Sequence, residues 1–137
     1  MKISRKVEYA GRVLAQLARC HGSGRIPHIE DLAEAEKVPA NYLVQILNEL
    51  RNAGLINSRR GKQGGYLLAR QPSEISIANV IRAIDGELLE CSAEIGGQSG
   101  RAVQSILMTA ARDFEKRAES LTLRDILDAE NTQMYFI

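Results

Sequence analysis

The sequence is poor in cysteine and in aromatic residues. Among its 137 residues there are 2 Cys, 4 Tyr and 2 Phe, and there is no Trp. Because Cys20 and Cys91 lie far apart, one chain offers neither a disulfide framework nor a complete metal site built from thiolates. The chain is nevertheless long enough to form a real hydrophobic core, and we expect one domain with a dimerising extension.

Long apolar runs are also missing. No run approaches the roughly 20 apolar residues that a membrane-spanning helix needs. The first residues carry no apolar segment of the kind found in secretory signals. We therefore expect a cytoplasmic protein that has no membrane partner.

Patterns typical of catalysis are absent as well. There is no nucleophile elbow and no pair of acids at catalytic spacing. The glycine-rich run at residues 61–65 is predicted to join two strands, whereas a phosphate-binding loop joins a strand to a helix. His21 and His28 are too few, and too near loop-forming residues, for a metal or catalytic site. We predict that the protein is not an enzyme.

Charge is distributed unevenly along the chain. Residues 1–70 contain 12 Lys or Arg and 6 Asp or Glu, a balance of +6, and residues 71–137 contain 6 and 11, a balance of −5. Together these give the net charge of +1. A basic front and an acidic back are typical of a nucleic-acid-binding region joined to an assembly or sensor region.

Residues 53–69 predict a β-hairpin with a basic, glycine-rich tip. Leu55 and Ile56 begin one strand, and residues 66–69 form the other. Gly61, Gly64 and Gly65 can take the positive φ angles that a tight turn needs. Three basic residues, Arg59, Arg60 and Lys62, are predicted at the tip, where they could meet phosphate.

Two helices joined by a short turn precede this hairpin. The first is predicted over residues 29–36 and the second over residues 39–52, with Pro39 at its first position. Three-four spacing places Leu43, Ile46, Leu47 and Leu50 inward and leaves Asn41, Gln45, Asn48 and Glu49 outward. Asn and Gln side chains can pair with adenine in the major groove, so Asn41 and Gln45 are candidates for base recognition.

Four further helices are predicted. The first helix of the chain follows Ser4 and ends near Cys20, and a fourth is capped by Ser76 and ends at Gly86. After a long loop at residues 87–100, the longest helix covers residues 101–120, and Thr122 caps a short last helix over residues 123–127. The longest helix has an apolar stripe wider than a small core requires, which predicts a homodimer interface formed by Val103, Ile106, Leu107, Ala110 and Phe114. The alternative is that this stripe packs within its own chain.

The predicted fold class is mainly α with a small β-hairpin: a winged helix-turn-helix followed by a long C-terminal dimerisation helix. We expect residues 1–71 to form the DNA-binding region. Residues 72–128 are expected to hold a linker helix, a sensor-type loop (87–100) and the dimerisation helix, and residues 129–137 to form a tail.

With these elements placed, the chain resembles the Rrf-two family of bacterial winged-helix regulators over residues 1–128. The resemblance rests on several segments in a fixed order. They are residues 1–4, 9–10, 41–43, 45–47, 50–51, 53–55, 60–61, 64–68, 75–77, 80–81, 83–86 and 121–127. The family includes an iron–sulfur biogenesis regulator, a nitric-oxide-sensing repressor and a repressor of cysteine metabolism.

The resemblance implies a homodimeric repressor that binds a roughly palindromic operator in double-stranded DNA. The third helix would enter the major groove. The wing, which is the predicted hairpin at residues 53–69, would lie along the minor groove or backbone. The implied DNA contacts are Asn41, Tyr42, Gln45, Arg51, Arg59, Arg60 and Lys62. Val44 differs from the acidic residue of some relatives, so their operator preference does not transfer.

The resemblance also raises the question of whether the chain binds an iron–sulfur cluster. Cluster-binding relatives carry three cysteines in the loop before the longest helix, whereas this loop contains only Cys91. Glu8 is a second candidate ligand, because one relative recruits a first-helix Glu from the facing subunit. Since one thiolate per chain is too few for the usual four-ligand cage, we expect no cofactor. A cluster-dependent redox or iron sensor that uses Cys91 and Glu8 stays as an alternative, and so does a redox role for Cys91 alone.

A different class of function also remains open. The acidic C-terminal half could dock a metabolic enzyme, so that the chain relays a metabolic state as a protein-interaction module.

Overall fold

The computed structural model describes residues 2–90 and 94–133. In that part of the chain, six α-helices, one two-stranded sheet and a short 3-10 turn follow one another. Their bounds are α1 Arg5–Cys20, α2 Ile29–Glu36, α3 Ala40–Asn52, β1 Ile56–Arg59, β2 Gly65–Leu68, the 3-10 turn Pro72–Glu74, α4 Ile77–Asp85, α5 Gly100–Ser120 and α6 Leu123–Gln133.

Helix α1 lies at the centre of the fold. Its N-terminus is capped by Ser4, whose Oγ accepts a hydrogen bond from the backbone N–H of Val7 at 3.1 Å. Apolar residues at three-four spacing give α1 a fully buried stripe that includes Val13, Leu14 and Leu17. Because α2, α3, α4, α6 and β2 all pack on α1, this stripe organises the main core.

A tight turn joins α2 to α3. Lys37 adopts the left-handed conformation, with φ of 54°, and this ends α2. Pro39 was predicted at the first helical position of α3. It lies instead at the N-cap, because its ψ of 136° is extended. The four predicted inward residues Leu43, Ile46, Leu47 and Leu50 are all buried.

The hairpin forms as an antiparallel pair in which Ile56 faces Leu68 and Arg59 faces Gly65. Leu55 is buried just ahead of β1, and Ala69 lies just past β2, so each predicted strand is shifted by one residue. The segment between α1 and α2 packs beside β2, because the backbone N–H of Tyr66 donates to the carbonyl oxygen of Pro27 at 2.9 Å.

The C-terminal helices return to the core. Ser76 caps α4 through a reciprocal pair of hydrogen bonds with Asn79, at 3.0 and 2.8 Å. A β-bridge between Ser76 and Thr122 then fixes the start of α6, and Leu123 is fully buried. Thr122 N–H donates to Asp125 Oδ2 at 2.8 Å.

The predicted end of the last helix at residue 127 is wrong, since α6 continues to Gln133. Ile126 and Leu127 pack on the main core, and an ion pair between Arg19 in α1 and Glu130 holds the added turns against the body of the protein. The predicted tail from residue 129 is therefore helical in its described part, to Gln133.

Helix α5 is mostly exposed. Only Ala118 among its residues is buried, in a small second cluster with Val7, Ala78, Ile81 and Leu88. Two ion pairs from Arg82 of α4 reach Glu115 at 2.5 Å and Glu119 at 2.9 Å. Among the residues described, no helix is both long and apolar enough to cross a membrane.

Candidate nucleic-acid interface

The outer face of α3 carries the amide side chains. Asn41, Gln45 and Asn48 are exposed, on the side opposite the buried stripe of the helix. Val44 lies between them with 51% of its surface exposed. Val44 was not among the residues predicted to contact a base, yet an apolar side chain in this position can contact the methyl group of thymine.

Tyr42 has a structural contact as well as an exposed surface. Its ring packs edge-on against Tyr9 of α1, with centroids 5.8 Å apart and an interplanar angle of 68°. The guanidinium of Arg12 lies 5.2 Å from the Tyr9 ring centroid. The N-terminal turn of α3 is thereby tied to α1.

Glu49 does not face outward as predicted. Its carboxylate is partly buried and pairs with Lys6 of α1, with Nζ and Oε1 2.6 Å apart. Seven residues after Tyr42, Glu49 lies on the same flank of α3, the one turned toward α1. The outward polar set of α3 is therefore Asn41, Gln45 and Asn48, followed by Arg51, which is exposed and donates to Asn48 Oδ1 at 3.2 Å.

Arg59, Arg60 and Lys62 are all exposed, and none of them forms an ion pair with another described residue. Arg59 is the last residue of β1, so only Arg60 and Lys62 lie in the turn itself. The result is a basic strand end and tip without nearby carboxylate partners in the described structure.

Two of the three predicted turn glycines have positive φ, at 100° for Gly61 and 146° for Gly65. Gly64 does not, and the prediction of a positive φ there is wrong. Its requirement is steric, because a Cβ at this position would lie 2.2 Å from the carbonyl oxygen of Arg59. A Cβ on Gly65 would similarly lie 2.3 Å from the carbonyl oxygen of Pro27.

The segment before α2 was missed as a part of this surface. Arg25 and His28 are exposed, and together with the wing arginines they line two adjoining clefts. The segment and the wing are joined by the long-range hydrogen bond from Tyr66 to Pro27, and neither hydrophobic period nor motif spacing indicates such a contact.

The predicted interface stripe on α5 lies on the surface. Val103 is 54% exposed, Ile106 70% and Leu107 58%, and Ala110 is exposed too. Phe114 differs, because it is half-buried and packs on the second cluster within its own chain. The structure thus divides the predicted stripe into four exposed residues and one that is partly intramolecular.

Cys91, the sensor candidate, lies outside the described residues. Glu8 is exposed and accepts a hydrogen bond from Arg12 Nε at 2.9 Å. Cys20 is buried at the end of α1, as predicted for a small hydrophobe. Residues 2–90 and 94–133 contain no group of three or more potential ligands placed to hold a metal ion. With 2 Cys in the whole sequence, the donor set does not fit a cluster held by four thiolates within one chain.

Electrostatic contacts also connect pairs of helices elsewhere in the fold. Arg82 has a pKa raised by hydrogen bonds to Glu119 and Glu115. The pKa of Arg19 is raised chiefly by its hydrogen bond to Glu130. Glu36, at the end of α2, has a pKa raised by burial, although the nearby Arg19 partly opposes this effect.

Comparison with known proteins identifies the family. The family model Rrf2 (the Rrf-two family), described as "Iron-dependent Transcriptional regulator", matches residues 3–129. The chain belongs to the Rrf2 family. Members of this family are transcriptional regulators, not enzymes. This confirms the predictions that the chain is an Rrf2-type regulator that binds DNA and that it is not an enzyme.

Solved structures of Rrf2 proteins have the same fold. The structure of CymR, the global cysteine regulator of B. subtilis, superposes with a TM-score of 0.83 at 29% identity, covering 94% of this chain and 98% of CymR. IscR of T. potens gives a TM-score of 0.77 at 34% identity, covering 97% of this chain and 91% of that one. The predicted fold class is confirmed: mainly helical, with a winged helix-turn-helix and C-terminal helices.

Curated sequences of HTH-type regulators align with part or most of the chain. Two predicted HTH-type regulators of Mycobacterium tuberculosis are 50% identical over 88 residues, which is 64% of this chain and 54% of each of theirs. The chain thus matches about half the length of these relatives. An IscR of Aliivibrio salmonicida is 34% identical over 122 residues, which is 88% of this chain and 71% of that protein.

Proposed function

We propose that this protein is a cytoplasmic, homodimeric repressor of transcription that binds a roughly palindromic operator and carries no iron–sulfur cluster. Helix α3 enters the major groove, and the wing lies along the minor groove or backbone. The observation that carries the proposal is the exposure of the amides of α3 and of the wing cations, which lie on two elements that contact each other. The wing cations have no ion-pair partner among the described residues. Membership of the chain in the Rrf2 family supports a function in transcription regulation.

Base recognition is assigned to the N-terminal half of α3. The side-chain amides of Asn41 and Gln45 can each bond both the donor and the acceptor of adenine, and Val44 beside them suits a thymine methyl group. Tyr42 and Arg51 flank this set and would position the helix on the backbone. An A·T-containing half-site is the expected consequence.

Affinity is assigned to the wing. Arg59, Arg60 and Lys62 are exposed and have no carboxylate partner among the described residues, so no intramolecular ion pair has to be broken when they meet phosphate. Each phosphate contact makes binding more dependent on salt, with a contribution of about 0.9 to the slope of log K against log salt.

Dimerisation is assigned to α5. Val103, Ile106 and Leu107 leave an apolar face on the surface of one chain, and a second copy would cover it. A two-fold dimer would present two α3 helices to half-sites about one helical turn apart.

The first experiment is the selection of bound sequences from random duplex DNA, followed by salt titration of the selected operator. We expect an enriched inverted repeat, and we expect Arg59→Ala/Arg60→Ala to weaken binding strongly and to lower the salt slope by about 2. The matched control is Arg112→Ala/Arg124→Ala, which removes two exposed arginines from α5 and α6. If the wing variant bound the operator as tightly as the wild type, the assignment of the wing would be wrong.

A second function is supported by an acidic surface in the C-terminal half of the protein. Asp85, Glu87, Glu90 and Glu94 are exposed near the end of α4 and the loop that follows, and none forms a described ion pair. This surface suits a basic face of a metabolic enzyme. The test is capture by the intact protein and by a variant with these four residues changed to Gln or Asn. An enzyme captured equally by both would count against this site.

A further inference from the structure

The segment between α1 and α2 and the wing form one structural unit. The backbone N–H of Tyr66 donates to the carbonyl oxygen of Pro27 at 2.9 Å. The two backbone segments approach so closely that a Cβ on Gly65 would lie 2.3 Å from that same oxygen. Side chains on this segment are therefore held at a fixed place relative to the wing.

A cleft of about 530 Å³ opens between the segment and the wing. We call it the wing-loop cleft; it is lined by Gly24, Ile26, His28, Arg59, Arg60 and Gln63. An adjoining cleft shares Arg59 and adds Arg25 and His21 to the same border. No carboxylate is among the residues that line either cleft.

Two acids, Glu30 and Asp31, follow the segment in the first turn of α2, and neither lines either cleft. Asp31 accepts a hydrogen bond from the backbone N–H of His28 at 2.9 Å, at the start of α2. The guanidinium groups of Arg25 and Arg59 have no partner side chain among the described residues. The wing-loop cleft combines the guanidinium groups of Arg59 and Arg60 with the His28 imidazole and the Gln63 amide, and Arg25 lies on the adjoining cleft. These groups are the donors that bind a phosphodiester.

We propose that the wing-loop cleft binds a backbone phosphate of duplex DNA, and that Arg25 and His28 extend the DNA-contacting surface beyond the wing. The proposal rests on the proposed function, since it takes the wing to lie on DNA. Because the wing and the segment are joined at Tyr66 and Pro27, a wing placed on the backbone brings this cleft to a neighbouring phosphate. Phosphate contacts of this kind add affinity and orientation, and they do not depend on base sequence.

The experiment measures fluorescence anisotropy with a labelled mixed-sequence duplex of about 30 base pairs, between about 50 and 200 mM salt at pH 7. A mixed sequence is suitable because non-specific binding is supplied by phosphate contacts. We expect Arg25→Ala to weaken binding several-fold and to lower the salt slope by about 1. Arg25→Ala/His28→Ala should weaken binding further on every duplex sequence.

Three controls keep the outcomes distinct. Arg124→Ala removes an exposed arginine from α6 and should leave the slope unchanged. Arg59→Ala/Arg60→Ala tests the wing itself, and thermal unfolding verifies that each variant is folded. If the wing variant shows the expected loss while Arg25→Ala and Arg25→Ala/His28→Ala both keep the wild-type slope, the proposal for the segment before α2 fails and the proposed function stands. A folded wild-type protein that binds no duplex would overturn both.

Discussion

The ring of Tyr42, in the first turn of α3, packs edge-on against the ring of Tyr9 in α1 at a centroid distance of 5.8 Å. Arg12 lies over the same Tyr9 ring and donates a hydrogen bond to the carbonyl oxygen of Glu36 at the end of α2. Three helices thus meet where the proposed base-reading residues begin. The orientation of α3 depends on this contact as well as on its buried leucines.

Replacing Tyr9 should loosen that junction. We expect Tyr9→Leu to lower the free energy of unfolding by about 1–2 kcal/mol, because the edge-to-face and cation–π contacts are both lost. DNA binding should weaken at unchanged salt slope, since no phosphate contact is removed. Chemical denaturation and anisotropy measure the two effects, and Tyr9→Phe, which keeps the ring, is the control. A slope altered as much as in the wing variant would mean that Tyr9 acts on phosphate instead.

Gly65 is a wing position at which both the backbone conformation and a close backbone contact oppose a side chain. Its φ of 146° and the 2.3 Å approach to Pro27 both oppose a Cβ. We expect Gly65→Ala to destabilise the protein by about 2 kcal/mol or more and to weaken DNA binding with it. Gly61→Ala is the comparison, because Gly61 has a φ of 100° but no atom within 4 Å of its added Cβ. Equal losses in the two variants would rule out the contact with Pro27 as the cause.

The helices and the wing were predictable because their signals are local. Ser4, the buried stripe of α1 and the glycines of the turn each act within a few residues of sequence. The errors came from long-range contacts. Glu49 pairs with Lys6 across 43 residues, and α6 is extended beside α1 with an ion pair to Arg19. No periodicity in the sequence shows which exposed-looking position will find such a partner.

The acid–base behaviour of Glu36 gives a prediction on stability. Burial raises its pKa, so in the folded protein its ionised form is disfavoured relative to the unfolded chain. The stabilising contribution is fully present below the unfolded pKa of about 4.3 and is lost as pH rises through the higher folded value. Glu36→Gln, which keeps the neutral shape, should therefore gain stability relative to the wild type as pH increases from about 4 to 7. If the denaturation midpoints of Glu36→Gln and of the wild type changed in parallel between about pH 4 and 7, the raised pKa of Glu36 would be contradicted.

The exposed stripe of α5 predicts a change in oligomeric state. We expect Ile106→Glu to convert a dimer into a monomer, since a carboxylate would be buried in an apolar interface. Light scattering after gel filtration measures the mass. Arg112→Glu places the same charge on the far side of the helix and should leave the dimer intact. A wild-type protein that is monomeric at micromolar concentration would remove this interface, and the dimeric mode of operator binding with it.

The composition of the chain predicts the outcome of an iron assay. With 2 Cys per chain, and with Glu8 engaged by Arg12, we expect protein purified without oxygen to be colourless and to contain no stoichiometric iron or acid-labile sulfide. Absorption spectra and chemical assays measure this, and Cys91→Ser should give the same spectrum as the wild type. A brown wild-type protein whose visible bands vanish in Cys91→Ser would show that ligands from two chains complete a site. Loss of the same bands in Glu8→Gln would then identify the second ligand, and the signal would be redox or iron status. A colourless dimer that binds DNA without metal would instead direct the search for a signal to Cys91 chemistry and to the acidic surface near the end of α4.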